Sequence, residues 1–386
     1  MKMVTVARDL GEHPDQPAVR IRSLDGLRGV AAVVVVFYHL CLLFPLGWAA
    51  YLKEPSSPLF NVLLRSPGSI LTAGRPAVYV FFVLSGFVLA YSFVGTDGQR
   101  YRPYLIKRIC RIWLPFTAAI LGSALLYLLF DGGHVPTASS WFNDLSWNPP
   151  LSVSKVVEHL AMTGGAEDLD NVMWSLVHEM RISIVFPLLV AAYLRFPKFT
   201  ILSGLALSVI CIVAKARIDS PVGDSILETG RYSYLFVLGI GLSQERARIS
   251  AAVSRLPAAV VAMAWIAVCL LLTSRMMLPN NGGKLLWLFG EFPVGLGAAL
   301  AVALVLRRGG TERLFANRMT LWLGGVSYSL YLVHVPIILL VGSVAGAIYP
   351  ALVPVCFALA IAAAWLFHKL VEKKAQDVGR RLVARA

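Results

Sequence analysis

Acidic residues are scarce in this sequence: 21 Asp and Glu stand against 35 Lys and Arg in 386 residues, and charged residues make up only 15% of the chain. A soluble domain carries about a quarter, so a water-soluble globular protein is excluded. The five cysteines (Cys41, Cys110, Cys211, Cys269 and Cys356) fall in or beside apolar runs, with no CxxC spacing. That excludes a disulfide scaffold and a cysteine zinc site, and no metal is expected. No apolar stretch precedes Arg20, and Asp9, Glu12 and Asp15 interrupt the first twenty residues. A cleavable leader is therefore not expected, and the first span directs its own insertion. Internal repeats and low-complexity tracts are missing too.

What is there is apolar: 58% hydrophobic residues and a mean hydropathy of +0.71. Hydrophobic periodicity predicts ten spans, at 29–46, 76–94, 112–130, 174–194, 199–214, 232–243, 257–273, 285–306, 320–340 and 351–371. The sixth is short, and a start nearer Ser225 is the alternative. Of the 35 Lys and Arg, 25 fall in 1–28, 95–111, 195–198, 244–255, 307–318 and 369–386, and 9 in the intervening loops. This positive-inside pattern accounts for the net charge of +14 without nucleic acid and puts both termini in the cytoplasm. The expected fold is an all-α, polytopic integral membrane helical bundle of about ten transmembrane helices. A cytoplasmic tail (1–20) precedes the membrane domain (21–372), and a basic cytoplasmic tail (373–386) follows it. Membrane lipids are its first partners. Two outward loops, 47–75 and 131–172, are long enough to suggest function, although an aromatic anchor with an acidic rim reads equally well for the second.

Ionisable residues inside such spans are costly, and each is a candidate site. Arg28 and His39 lie eleven residues apart, which places the imidazole about 16 Å beyond the guanidinium on nearly the same helix face. With Arg28 at the interface, His39 is expected near the midplane of a core roughly 30 Å thick. Asp25 precedes them. Arg108 and Arg111, spaced i, i+3, share one face at the cytoplasmic mouth of the third span. They serve either as lipid anchors or, with Arg28, as a three-arginine phosphate site. Trp174-Ser175-Leu176-Val177-His178-Glu179-Met180-Arg181 starts the fourth span, with Glu179 just inside the outward face and His178 beside Arg181. An ion-pair knot is the structural alternative. Ser327, Tyr331 and His334 form a polar stripe down the ninth span, which either packs helices or lines a pathway. Ser85 and Gly86 read as small residues for close helix approach rather than as a nucleophile. Glu372, followed by Lys373 and Lys374, reads as surface.

Taken together and in order, Leu24-Asp25-Gly26-Leu27-Arg28-Gly29, the Arg28/His39 pair, Phe81-Phe82-Val83-Leu84-Ser85-Gly86-Phe87, Arg108-x-x-Arg111, Trp174-Ser175-Leu176 with Glu179, and Ser327-Tyr328 through Tyr331 to His334 resemble the integral-membrane acyltransferase 3 family of bacterial O-acyltransferases. The resemblance implies a ten-helix enzyme of the bacterial inner membrane. It would move an acyl group, commonly acetyl, from cytoplasmic acyl-CoA to a hydroxyl of an envelope glycan or other acceptor outside, with no bound cofactor. The family's essential histidine and arginine fall on His39 and Arg28, and its arginine pair on Arg108 and Arg111. Glu372-Lys373-Lys374 departs from the family's C-terminal pattern. Any second, extracytoplasmic acyl-handling domain is expected from a separate partner.

On this reading Arg28, Arg108 and Arg111 hold the CoA phosphates, and neutral His39 is the general base. Glu179 orients His39 or binds the acceptor. An acyl-enzyme on Tyr331 is the alternative route. Asp25, Trp174, Ser175, His178, Ser327, Tyr331 and His334 are pathway or acceptor candidates. The rival class is a proton-coupled transporter or flippase for a glycan or lipid intermediate.

Overall fold

The structure, a computed structural model, describes residues 21–94, 100–130, 133–144, 147, 150–215, 217–278 and 290–385. The expected N-terminal tail lies outside the described residues, as does the start of the expected eighth span. Among the described residues the fold is helical, with no strand. The long helices are α1 (Arg22–Leu42), α2 (Gly74–Val94), α3 (Tyr101–Phe130), α4 (Trp174–Arg195), α5 (Pro197–Lys215), α6 (Pro221–Gln244), α7 (Ala258–Met277), α8 (Phe292–Val305), α9 (Arg318–Ala345) and α10 (Leu352–Phe367). A π-helical turn, His368–Glu372, joins α10 to α11 (Lys373–Ala384). Local chemistry sets several starts. Pro197 and Pro221 occupy first turns, where a missing N–H costs nothing. Asn317 caps α9 by accepting from the Met319 and Thr320 amides at 2.9 and 3.0 Å.

Among the described residues eight helices, with α10 counted together with its continuation through α11, are long and apolar enough to cross a membrane. The charged start of α6 (Asp224, Glu228, Arg231) and the 14-residue length of α8 set those two apart. Their packing nonetheless carries them through the same depth as their neighbours. Helix α6 runs parallel to α2: Tyr232 meets Tyr79, and seven residues on Gly239 meets Gly86. Glu291, the N-cap of α8, accepts from Tyr79 near the start of α2, and the helix ends at Val305, whose carbonyl accepts from Ser23 Oγ at 2.9 Å near the start of α1.

Helix α9 lies along α1 and is also parallel to it. Gly29 packs on the Leu323–Gly324 backbone, and a Cβ there would strike it. Ten residues further along each helix, His39 meets His334. For Gly86 the expectation of close helix approach holds in the same way, since a Cβ there would strike the Phe236 backbone, whereas Ser85 turns to the Glu179 carboxylate.

The loop before α4 sinks into the bundle: Met162, Leu169, Asp170, Val172 and Met173 are all buried. Arg181 ties it down, donating to the carbonyls of Met162 and Thr163 at 3.2 and 2.7 Å and to Ser225 and Thr229 of α6. His178 bonds Thr229 at 2.9 Å rather than pairing with Arg181.

Candidate active site

The polar residues of the bundle line two chambers set end to end. The larger, about 820 Å³, holds Arg28, Arg108, Arg111 and Glu179. The smaller, about 300 Å³, holds His39, Arg75, Trp141, Asn171, Trp174 and His178. Val78 and Tyr331 line both, so the partition between them is one side chain thick. The Tyr331 hydroxyl is pinned there, 2.7 Å from Ser175 Oγ and donating to the Val172 carbonyl at 3.0 Å. Helices α1, α2 and α4 each contribute to both chambers: Arg28 and His39, Ser85 and Arg75, Glu179 and His178.

His39 sits in the last turn of α1, not midway along it. The helix starts at Arg22 rather than 29, and the sunken loop and the buried Trp141 cover its far end. The Trp141 ring centroid lies 5.5 Å from the imidazole. His334 Nδ1 faces the Leu330 and Tyr331 carbonyl oxygens at 2.9 and 3.0 Å, so it carries a proton and its Nε2 a lone pair. His39 Nδ1 lies 2.9 Å from the Val35 carbonyl and 3.2 Å from His334 Nε2, so it too carries a proton. In the neutral ring, His39 Nε2 is then the unprotonated nitrogen. Asn171 lines the same chamber.

In the larger chamber Arg108 donates to Glu179 Oε1 at 2.9 Å and to Ser183 Oγ at 3.2 and 2.9 Å. Ser85 Oγ donates to the same Glu179 oxygen at 2.9 Å. The sequence reading puts Arg108 at the cytoplasmic mouth and Glu179 near the opposite face. They meet because α3, at 30 residues, is about 45 Å long and the sunken loop lowers the start of α4. Glu179 thus bonds Arg108, and its bonds do not reach His39. Arg28 lies 3.9 Å from Asp25. Ser327 lines this chamber and bonds the Gly324 carbonyl at 2.8 Å.

Three features escape the sequence reading. Glu372 is buried rather than superficial, 4% exposed, and accepts from Ser329, His368 and Gln376 at 2.6, 2.8 and 3.0 Å. The π-turn rotates it inward, and the following Lys-Lys hides it from a sequence reader. Lys373, Gln376 and Arg380 of the C-terminal stretch form part of the larger chamber's wall. Asn171 and Arg75 are missed because one lies in a loop and the other just ahead of the expected start of a span. Arg75-Pro76 at a helix start was the available signal.

Fold and site together define a multi-pass membrane protein that sets a basic chamber against a buried imidazole. The model of the family described as an acyltransferase domain matches residues 21–369, and the chain belongs to that family, acyltransferase 3. It is similar to O-acetyltransferase PaAT-1 of Phomopsis amygdali (24% identical, covering 86% of this chain and 74% of the relative). It is also similar to putative peptidoglycan O-acetyltransferase YrhL of Bacillus subtilis (strain 168) (25%, 85% and 50%) and to acyltransferase MdmB of Streptomyces mycarofaciens (28%, 50% and 46%). The chain spans about half the length of the latter two. No solved structure matches it. The protein is an O-acyltransferase.

Proposed function

We propose that this O-acyltransferase takes its acyl group, acetyl in the first instance, from cytoplasmic acyl-CoA. It passes the group to a hydroxyl of an envelope glycan or similar acceptor on the far side of the bacterial inner membrane. The observation that carries the reading is the shared wall at Tyr331, which separates a three-arginine chamber from the chamber of His39. Arginine forks suit the pyrophosphate and 3′-phosphate of CoA, so the larger chamber is the donor side. The pantetheine arm runs inward past Tyr331 and Ser175 and presents the thioester to the smaller chamber, which admits the acceptor.

His39 Nε2 removes the acceptor hydroxyl proton as that oxygen bonds to the thioester carbonyl carbon. The tetrahedral intermediate collapses, the C–S bond breaks, and the CoA thiolate recovers the proton from His39. His334 holds the ring in the reactive tautomer and shares its Nδ1 hydrogen, as the third member of a hydrolytic triad does for its histidine. Glu179 serves here as the counter-ion that aims Arg108. Trp174 and His178 border the acceptor's path.

The test supplies acetyl-CoA labelled in the acetyl group to membranes containing the protein. Label appearing in an ester on an envelope component, and dependent on the protein, supports the reading. Donor left intact while such components cross the membrane would refute it.

A further inference from the structure

Resting on the reading of His39 as base, the geometry points to Arg75 as a second catalytic residue, the cation that takes the negative charge developing on the thioester oxygen. Arg75 opens α2 and lines the His39 chamber. Gly74 beside it packs so closely on the Tyr38 ring that a Cβ would collide, which fixes the start of α2 against the residue preceding His39. The Arg75 side chain is exposed while residues 72–74 and 76 around it are buried, so its exposure is toward the chamber. Its guanidinium stands over the Trp174 ring, 5.6 Å from the centroid.

Among the described residues no carboxylate makes an ion pair with Arg75, and no hydrogen bond to its guanidinium is present. The other cation of this chamber, Lys215, is held by Asp224 and Glu228 at 2.8 and 2.7 Å. The carboxyl left to oppose Arg75 there is Glu167 of the loop, whose charge acts on the guanidinium without an ion pair between them. The guanidinium thus stands over one aromatic ring and is held in no ion pair. It is preorganised for a charge that exists only during reaction.

In the balanced step, His39 Nε2 takes the hydroxyl proton and the acceptor oxygen bonds to the carbonyl carbon. The C=O π pair moves onto oxygen, where the Arg75 N–H groups stabilise it. The pair returns as the C–S bond breaks, and the departing thiolate takes the proton from His39.

The test uses water as the acceptor, because a charged acceptor could call on Arg75 for binding alone. Purified full-length protein in nanodiscs is given acetyl-CoA, and the His39-dependent release of CoA thiol is followed. Arg75→Gln is expected to lower kcat about 10²–10³-fold with the KM for acetyl-CoA unchanged, which also reports an intact donor chamber. Arg75→Lys is expected to recover part of the loss. An unchanged kcat in Arg75→Gln, or an effect confined to KM, overturns the assignment. Hydrolysis that does not depend on His39 in the wild-type protein removes the base and with it this inference, whatever Arg75→Gln shows.

Discussion

His334 Nε2 stands 3.2 Å from His39 Nδ1, and its own Nδ1 is committed to two carbonyls of its helix. The pair exists because α1 and α9 run parallel in a register set by the Gly29–Gly324 contact, ten residues before each histidine. Removing His334 should therefore slow the reaction without touching donor binding. For His334→Ala we predict a lower kcat, a smaller fall than for His39→Ala, and an unaltered acyl-CoA Kd by titration. Wild-type kcat in His334→Ala would show that the tautomer needs no such support.

The register itself can be tested. Gly29→Val drives a branched side chain into the Leu323–Gly324 backbone and is expected to destabilise the protein by at least about 1–3 kcal/mol through overpacking. Thermal unfolding in detergent is the measurement. An unchanged Tm would mean that the two helices are not in this close contact.

Arg108 and Glu179 form a largely buried pair, with side chains 9% and 17% exposed. Removing either partner strands a charge, at a cost of about 3–5 kcal/mol for a fully buried pair and less here. The two variants part company in donor binding. Arg108→Ala should weaken acyl-CoA affinity, whereas Glu179→Gln frees the guanidinium and should leave affinity equal or higher. Equal weakening in both would indicate that the pair matters only as structure.

Asp170 gives a pH signature. It is fully buried in the sunken loop, and burial holds its carboxyl well above the usual carboxylate range. The folded protein then binds a proton that the unfolded chain, with a carboxyl pKa of about 3.9, releases. The resulting stability is fully present below that pH and is lost as pH rises through the folded value. Asp170→Asn should flatten this decline, so that its Tm falls less than the wild-type Tm between acid and neutral pH. Parallel Tm–pH curves would contradict it.

Much of the site could be read from sequence because its parts sit at fixed places on helices. Arg28, Arg108 and Arg111 gather in one chamber since each lies near the same end of a span. What could not be read depends on pairing and depth. Nothing in one chain's spacing says that α9 lies parallel to α1, so His334 could be named only as part of a polar stripe. Glu179 was expected near a surface because the sinking of the loop before α4 depends on Arg181 bonding the Met162 and Thr163 carbonyls, a tertiary contact. Arg75 was counted among loop cations because its span was expected to begin at Pro76, one residue later. Glu372 turns inward on a π-turn whose sequence, His368-Lys369-Leu370-Val371-Glu372, reads as ordinary helix.

Whether one imidazole serves both chambers is decided by acetyl transfer in His39→Ala, followed alongside its acyl-CoA Kd. The expected result is a wild-type Kd, because the arginine chamber is untouched, and a rate lower by at least about 10²-fold, the contribution of a general base. Transfer at the wild-type rate, or a loss explained wholly by weaker donor binding, would contradict it.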